Sequence, residues 1–460
     1  MSLKTSKHGN RTEYHYWGYS FYWTDLHTPR DDLYPMVKTY DTLADECVER
    51  LNKISAAGDS AEKRPFHRDL YGLLKDHADE DPKLKELWNE LNTVPEWVDW
   101  DQIKRGQDTF FRYGLPILNV LGFQSLLGGM GSTRVVETLS RTGGFGAKVV
   151  RRRLLETLQH VLQVNSSAEG MKPGGEGNIS CARVRLLHSA VRLKILSLIE
   201  QSPEYYDIDK YGVPANDLDS IGTINTFCSA VVWVGLPRQG IHLSQREIDD
   251  YIALWRLVAY YMGTPTEYFE SATKARAIME SLLITEFDPT DTGRILAKNI
   301  IIGLENTAPA YASKGFLEAM SRLLNGDQLS DALDLPRPNL YYRMLVWGYC
   351  FWVMMASYIV PKIWFIDRLM ISLRRRNFYK QLLDEKNGLG KETRFEFKYM
   401  PTLTRRTRLG ERRTIKYERP GIESIARLGL LAAFAAVATL SMGFIFAARM
   451  IPSQLFLLRA

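Results

Sequence analysis

The sequence predicts an all-α protein in which several helices surround an apolar centre. Apolar residues recur three and four positions apart along most of the chain, and alternating strand patterns are nearly absent before residue 390. Of the 460 residues, 45% are hydrophobic and 24% are charged, a balance typical of globular proteins. This length is enough for one large or two ordinary domains, and the helical periodicity favours helix-on-helix packing.

Three segments carry the clearest helical periodicity: residues 33–54, 246–263 and 313–326. The one clean strand pattern is residues 394–400, and we expect it to begin a small hairpin with residues 413–418. The spacing of apolar residues therefore assigns nearly the whole chain to helices.

Two polar loops and one long apolar run divide the chain. Residues 53–65 and 334–343 have the composition of loops, and the 21 residues from 428 to 448 carry no charge and are long enough to cross a bilayer. We expect four regions: an N-terminal helical region (1–95), a compact core (96–335), an amphipathic, basic membrane-proximal region (336–420) and a transmembrane helix (428–448).

The charge distribution indicates a membrane surface, and not nucleic acid, as the partner. The formal net charge is +6, and residues 401–420 hold seven basic and two acidic side chains, which gives +5 beside the predicted span. The first 23 residues lack an apolar signal-peptide core, so the layout predicts a C-terminal anchor with the bulk of the protein in the cytosol. For residues 344–360, also apolar, a helix in the membrane interface or over the core is favoured over a second span. The four separated cysteines indicate a reducing compartment.

One predicted helix, residues 183–195, carries a histidine between two arginines. Arg185, His188 and Arg192 are three and four positions apart and so share one face of that helix. Such a histidine is either a hydrogen-bonded core residue beside two solvated arginines, or a ligand for a metal or a haem iron. The spacing alone leaves both interpretations open.

A second predicted helix has a polar stripe on an otherwise apolar surface. Arg153, Glu156, Thr157 and His160 lie at i, i+3, i+4 and i+7. The stripe faces either solvent or the interior, where it would supply an acid or base and hydrogen bonds to a bound oxidant. The chain lacks the paired Glu-x-x-His motifs of a di-iron bundle.

Two iron sites remain open at this point. A mononuclear site would combine His160 and His188 with Glu156 or Glu137. A haem needs one axial imidazole, an apolar slot and cations for its propionates, which His188 with Arg185 and Arg192 would provide.

Five segments, in order, resemble the rubber-oxygenase (latex-clearing protein) catalytic-domain family, and the layout is most similar to its fungal ER-bound oxygenases of the mycophenolic acid biosynthesis type. The segments are VPEWVDWDQIKRGQDTFFRYG, RRRLLETLQHVLQV, PGGEGNISCARVRLLHSAVR, YGVPANDLDSIGTINTF and GLPRQGIHLSQREIDDYIALWRLVAYYMG. They span roughly residues 95 to 270. The resemblance implies a globin-like, multi-helix core that binds a b-type haem.

The resemblance also assigns roles to individual residues. It implies His188 as the axial iron ligand, with Arg185 and Arg192 as the family's arginines on that helix. On the opposite side of the haem it implies Arg153 and Thr157, with Glu137 or Glu156 as the carboxylate that assists the reaction. It also implies Thr223 as a threonine near the haem pocket. Glu156 departs from the latex-clearing proteins, which have a lysine able to cap the iron at that position.

The function implied is a haem-dependent oxygenase. O₂ would bind opposite His188, and an isoprenoid or lipid-like substrate would lie in an apolar tunnel, with oxidative C=C cleavage assisted by Glu137 or Glu156. The resemblance and the anchor together imply residence in the ER membrane. The alternatives are another step of secondary metabolism (hydroxylation, dehydrogenation or cyclisation), a non-haem iron enzyme, and a membrane-tethered helical protein without catalysis.

Overall fold

The computed structural model of the protein describes residues 4–8, 11–58, 69–395, 400–411 and 421–450. Helices account for most of them, which confirms the predicted all-α class. One antiparallel sheet at the amino end consists of the strands Lys4–His8, Arg11–Tyr16 and Tyr19–Tyr22. The sequence pattern did not predict this sheet, because its strands are short and mostly polar. The predicted hairpin of residues 394–400 and 413–418 lies largely outside the described residues.

The amino-terminal half of the chain forms helices that are mostly short. The α-helices are Arg30–Leu33, Thr42–Gly58, Leu70–His77, Pro82–Leu91, Trp100–Arg112, Gly114–Asn119, Thr133–Thr142, Val150–Val164, Ala168–Met171, Glu176–Gln201, Ile208–Tyr211 and Asp217–Phe227. Single 3₁₀ turns occur at Tyr34–Val37, Gly128–Gly131 and Pro203–Tyr205, and residues Val120–Leu127 are π-helical.

The carboxyl-terminal half contains further α-helices, all but the first of them long. They are Leu236–Arg238, Gln245–Tyr261, Ala272–Thr285, Asp291–Leu304, Lys314–Ala332, Leu340–Ile359, Trp364–Leu382 and Ile422–Met450. A second π-helical segment is Val231–Gly235, and 3₁₀ turns occur at Glu267–Phe269 and Val360–Lys362. The helix Lys314–Ala332 is kinked at Gly326, whose φ of 74° is left-handed.

The helix Glu176–Gln201, called here the central helix, runs through the middle of the molecule. It packs against Thr42–Gly58, Gln245–Tyr261 and Val150–Val164, the last of which we call the facing helix. Residues on every side of the central helix are buried in its first four turns, as expected for a helix enclosed by others. This pair of helices positions the candidate site.

The two largest apolar clusters meet at the central helix. The larger includes Phe110, Tyr251 and Trp255 and extends from the amino-terminal turn to the carboxyl-terminal helices. The smaller is formed by the helices between residues 42 and 91, which pack against Ala182 and Leu186 of the central helix. The central helix therefore belongs to both cores, so its side chains are held from two directions.

Among the described residues, three helical segments are long and apolar enough to cross a membrane. Asp217–Arg238 is 61% buried and belongs to the core, Leu340–Lys362 is 33% buried, and Ile422–Gly443 is only 11% buried. The last of these includes much of the predicted span 428–448. By length and composition it is the helix best suited to a lipid environment.

The helices Leu340–Ile359 and Ile422–Met450 pack side by side. Gly348 and Gly429 allow the close approach, since a Cβ on Gly429 would overlap the carbonyl oxygen of Gly348. Both helices begin against the same segment: Glu423 accepts a hydrogen bond from the Ser313 amide (2.9 Å), and the Tyr342 ring lies against Gly315. The two helices therefore run parallel, and Leu340–Ile359 covers part of the core with its other face.

Candidate functional site

A cavity of about 360 Å³ lies beside the central helix. Its wall is mostly apolar, and the central helix contributes Val184, Leu187, His188 and Val191. These positions are one turn or less apart, so they form one continuous face. The two π-helical segments also line the cavity, as π-bulges at functional sites often do.

His188 faces this cavity as a neutral imidazole. Burial, together with the nearby cations Arg192 and Arg153, lowers the pKa of His188 to about 4. Within the described part of the chain, the imidazole forms no hydrogen bond. An unpaired, neutral imidazole in an apolar wall has the protonation state that a metal or haem iron requires of a ligand. The alternative of a hydrogen-bonded core histidine is thus not what the structure contains.

Arg185 and Arg192 do not line the cavity but point to carboxylates on the opposite side. Arg185 Nε donates to Asp41 at 2.6 Å and its Nη1 donates to Glu90 at 2.8 Å. Arg192 Nη2 donates to Asp45 at 2.6 Å, and its guanidinium also bonds the Ala215 carbonyl. Although the three residues share one helical face in the sequence pattern, only His188 lies at the cavity. Both arginines form buried ion pairs instead.

The facing helix contributes Arg153, Thr157 and His160 to the cavity wall. The Thr157 hydroxyl donates to the Arg153 carbonyl (3.2 Å), and His160 Nδ1 is 3.0 Å from the Ser180 hydroxyl on the central helix. Burial, with a smaller effect of His188, lowers the pKa of His160 to about 4. The polar stripe predicted from the sequence thus faces inward along most of its length.

The two predicted glutamates lie away from the cavity wall. Glu156 is held by Arg153 (3.2 Å) and Arg152 (3.3 Å), and Glu137 by Arg141 (2.6 Å). Neither carboxylate is among the described residues that line the cavity. Glu156 therefore acts on the cavity only through Arg153, which it orients.

Two other carboxylates line the cavity instead. Thr223 also lines the cavity, and its hydroxyl donates to the Asp219 carbonyl (2.8 Å) one turn earlier. The Asp219 carboxylate accepts from Arg134 Nε at 3.1 Å, and the same guanidinium contacts Glu286. The sequence signal for Asp219 was its position four residues before Thr223, which places both on one helical face. Glu286 had no local signal.

The residues fit a haem better than a protein-ligated metal. The described residues include no group of three or more His, Cys, Asp or Glu side chains arranged to hold a metal ion. The described residues therefore offer no cluster for the alternative of a mononuclear site with two histidines and one carboxylate. A haem needs one axial imidazole and an apolar slot, and the cavity at His188 offers both.

Comparison with known proteins identifies the same family that the five sequence segments resemble. Residues 112–355, more than half of the chain, match the family model described as ER-bound oxygenase mpaB/B'/Rubber oxygenase, catalytic domain. Rubber oxygenase of Streptomyces sp. (strain K30) is 20% identical over 281 residues, which are 60% of this chain and 67% of that protein.

Two further proteins are similar. Aurantioclavine synthase cnsA of Penicillium expansum is 54% identical over 50 residues, only 11% of either protein. The solved structure of latex clearing protein LCP in the closed state superposes with a TM-score of 0.57 at 18% identity, covering 76% of this chain and 92% of the other. At this identity the superposition shows that the fold is shared.

Proposed function

The chain belongs to the family of ER-bound mpaB-type and rubber oxygenases and is an oxygenase, and from that premise we propose that it is a membrane-anchored b-type haem enzyme. In this proposal it uses O₂ to cleave a C=C bond of an isoprenoid or lipid-like metabolite. The observation that carries the proposal is the neutral, unpaired imidazole of His188 in the wall of an apolar cavity.

His188 would hold the haem iron, and it lies on a helix that is buried on both sides. Val184, Leu187 and Val191 surround it on the cavity face and would exclude water from the metal side of the pocket. A haem bound there would supply O₂ binding and redox chemistry.

Arg153 and Thr157 would act from the facing helix. Arg153 lines the same cavity as His188, and after burial and Arg192 its charge helps to lower the pKa of that imidazole. The ion pair with Glu156 fixes the guanidinium, so that it offers its remaining N–H groups to anionic or polar atoms in the cavity. Because Arg185 and Arg192 are occupied by carboxylates, we assign them a structural role: they hold the central helix, and thereby His188, in place.

Membrane anchoring would come from Ile422–Met450. Its exposed apolar side chains include Leu428, Leu431, Phe434, Val437 and Leu440. Burying these side chains in lipid is favourable by about 25 cal/mol for each Å² removed from water. A lipid-soluble substrate would then be concentrated beside the enzyme, and the family name supports the ER as the membrane.

The proposal is tested by haem analysis of the full-length protein in detergent. We expect a Soret band and a pyridine haemochrome of b type in the wild type. His188→Ala should lose the haem, whereas His160→Ala, which removes the other histidine of the same cavity, should retain it. A wild-type protein that remains free of haem after reconstitution would refute the proposal, as would an unchanged spectrum of His188→Ala.

The second candidate is an oxygenase-fold enzyme for another step of secondary metabolism. The observation that favours it is the position of Glu156, where the latex-clearing proteins carry lysine, so this chain lacks that distal ligand. Product analysis with ¹⁸O₂ separates the two. Cleavage of a double bond delivers labelled carbonyl groups and hydroxylation delivers a labelled hydroxyl group, whereas cyclisation or dehydrogenation leaves no label in the product.

A further inference from the structure

The cavity extends from the central helix to the tip of the amino-terminal sheet. Leu187 and His188 line it on the central helix, whereas Trp17 and Tyr19 line it on the sheet. In the described part of the chain, the central helix has no extensive packing contact with the sheet. The cavity therefore separates the two walls, and Trp17 stands at the end remote from His188.

Trp17 has a backbone conformation that is unusual for a tryptophan. With Gly18 it forms the two-residue turn between the strands Arg11–Tyr16 and Tyr19–Tyr22. The φ angles of 53° and 72° are both left-handed, which is the pattern of a type I′ turn. Such turns prefer Asn-Gly, and a bulky side chain at positive φ is an outlier. The turn itself therefore gives no reason for a tryptophan at this position.

The Trp17 ring is buried in the cavity wall. Only 5% of the residue is exposed, and the ring centroid lies 5.0 Å from that of Tyr16 and 6.3 Å from that of Phe287. Within the described residues the indole N–H has no acceptor, which costs free energy that a purely apolar side chain would not. The indole is held there despite this cost and the strained backbone, so its contribution to the wall is its volume.

Arg238 holds the turn in place. Its Nη2 donates to the carbonyls of Trp17 (2.9 Å) and Gly18 (3.2 Å), and its Nη1 donates to the Leu324 carbonyl. Gly326, at the kink of the helix that carries Leu324, allows the close approach, since a Cβ there would lie 3.3 Å from the Trp17 carbonyl oxygen. Burial lowers the pKa of Arg238 to about 10, and no carboxylate contributes to this pKa. A buried cation is thus committed to the backbone of the turn, which keeps the indole in the wall.

We propose that Trp17 closes the end of the cavity remote from His188 and thereby sets the length of the chain that the cavity admits. This inference rests on the proposed function insofar as it takes the cavity to hold an apolar chain substrate. A chain with its reacting end towards His188 would meet the indole with its other end. Because Gly18, on the outer side of the turn, is exposed, removing the indole would let a longer chain extend towards solvent.

The test compares linear alcohols of increasing length with the full-length protein in detergent. Wild type and Trp17→Asn are each incubated with an equimolar mixture of tetradecanol, hexadecanol, octadecanol and eicosanol, and native mass spectrometry measures the bound fraction of each. Asparagine suits the left-handed backbone, so this variant removes the indole without straining the turn. We expect the ratio of bound eicosanol to bound tetradecanol to rise about tenfold in the variant, which corresponds to roughly two more methylene groups buried at about fourfold in affinity each. Both proteins meet the same mixture in the same detergent, so partition into micelles cancels in the comparison.

Trp23→Asn is the matched control. The Trp23 ring stacks on His27, with 4.8 Å between ring centroids, beside the same sheet, but Trp23 is not among the described residues that line the cavity. This variant should keep the wild-type ratio. Trp17→Gly also suits a left-handed turn and provides a second variant, with the same expected shift, should Trp17→Asn not fold.

Three results would overturn the inference: no bound alcohol in the wild type, an unchanged ratio in the folded Trp17 variants, or an equal shift in Trp23→Asn. The haem assay distinguishes this failure from failure of the proposed function. A protein with a normal Soret band and an unchanged length preference refutes only the role of Trp17. A protein without haem whose preference shifts in Trp17→Asn refutes only the haem assignment.

Discussion

Arg192 and Asp45 form an ion pair in the interior, with Nη2 2.6 Å from Oδ1 and only 2% and 10% of their side chains exposed. Ser189, one turn before Arg192, donates to the same Asp45 carboxylate. The pair joins the central helix to Thr42–Gly58 directly behind the face that carries His188. The position of the candidate iron ligand is thus fixed by charges on the far side of its own helix.

Breaking this pair should destabilise the protein strongly. Asp45→Asn leaves the Arg192 guanidinium buried without its counter-charge, which typically costs about 3–5 kcal/mol. Thermal unfolding of the full-length protein, followed by circular dichroism, should show a clearly lower midpoint. Asp209→Asn removes the partner of an exposed pair with Lys38 and should leave the midpoint almost unchanged. Equal midpoints for the two variants would contradict a structural role of Asp45.

The haem-free protein should lose stability in mild acid because of its two cavity histidines. The pKa values of His160 and His188 are lowered to about 4, mainly by burial. Between about pH 6.5 and pH 4 the unfolded chain therefore binds more protons than the folded one. The stabilisation that each neutral histidine retains above pH 6.5 is lost as the pH falls through this window.

Single variants measure this contribution. His160→Asn should flatten the dependence of the unfolding midpoint on pH between 6.5 and 4, whereas the exposed His242→Asn should not. Asp219 acts in the opposite direction, because its pKa is raised, so the difference between variant and wild type is the quantity to compare. If the unfolding midpoint of His160→Asn depends on pH as steeply as that of the wild type, the cavity histidines are not held neutral by burial in the folded protein.

The helical architecture was predictable because it is encoded locally. Residues 246–263 and 313–326 repeat their apolar positions with helical spacing, and both became helices. The same reasoning placed His188, Arg153 and Thr157 on helices, and the structure brings all three to one cavity. The small amino-terminal sheet was not predicted, because a short strand with few apolar residues shows no such repeat.

The side-chain partners were not predictable from local spacing. Arg185 and Arg192 share a helical face with His188, but their carboxylates come from residues 144 and 147 positions earlier in the chain. Likewise, Glu286 meets Arg134 only because the chain returns to the cavity after more than 150 residues. Which arginine faces a cofactor and which faces an acid is decided by tertiary packing.

The packing of the two apolar helices depends on glycine. Gly348→Leu would place a side chain where the Ala426 carbonyl and the Leu430 amide now lie, so it should separate Ile422–Met450 from Leu340–Ile359. Limited proteolysis in detergent should then release the carboxyl-terminal segment faster than in the wild type. Gly443→Leu, at a glycine with open space around it, is the matched control. Equal cleavage rates for the two variants would show that this contact does not hold the anchor.

The corner between Leu340–Ile359 and Trp364–Leu382 should enter the lipid headgroup region. Trp364 and Phe365 are 70% and 59% exposed, and the Arg368 guanidinium lies over the Trp364 ring at 5.7 Å, an aromatic and basic pairing suited to the membrane interface. The corner comes directly after Leu340–Ile359, and this helix runs parallel to the proposed anchor. The corner and the end of the anchor therefore lie on the same side of the molecule. Trp364→Cys, labelled with an environment-sensitive dye, should shift its emission to the blue when the full chain is reconstituted into vesicles with anionic lipid. The same dye at Asp209→Cys, fully exposed on the body, should not shift, and matching spectra at the two positions would place the corner in water.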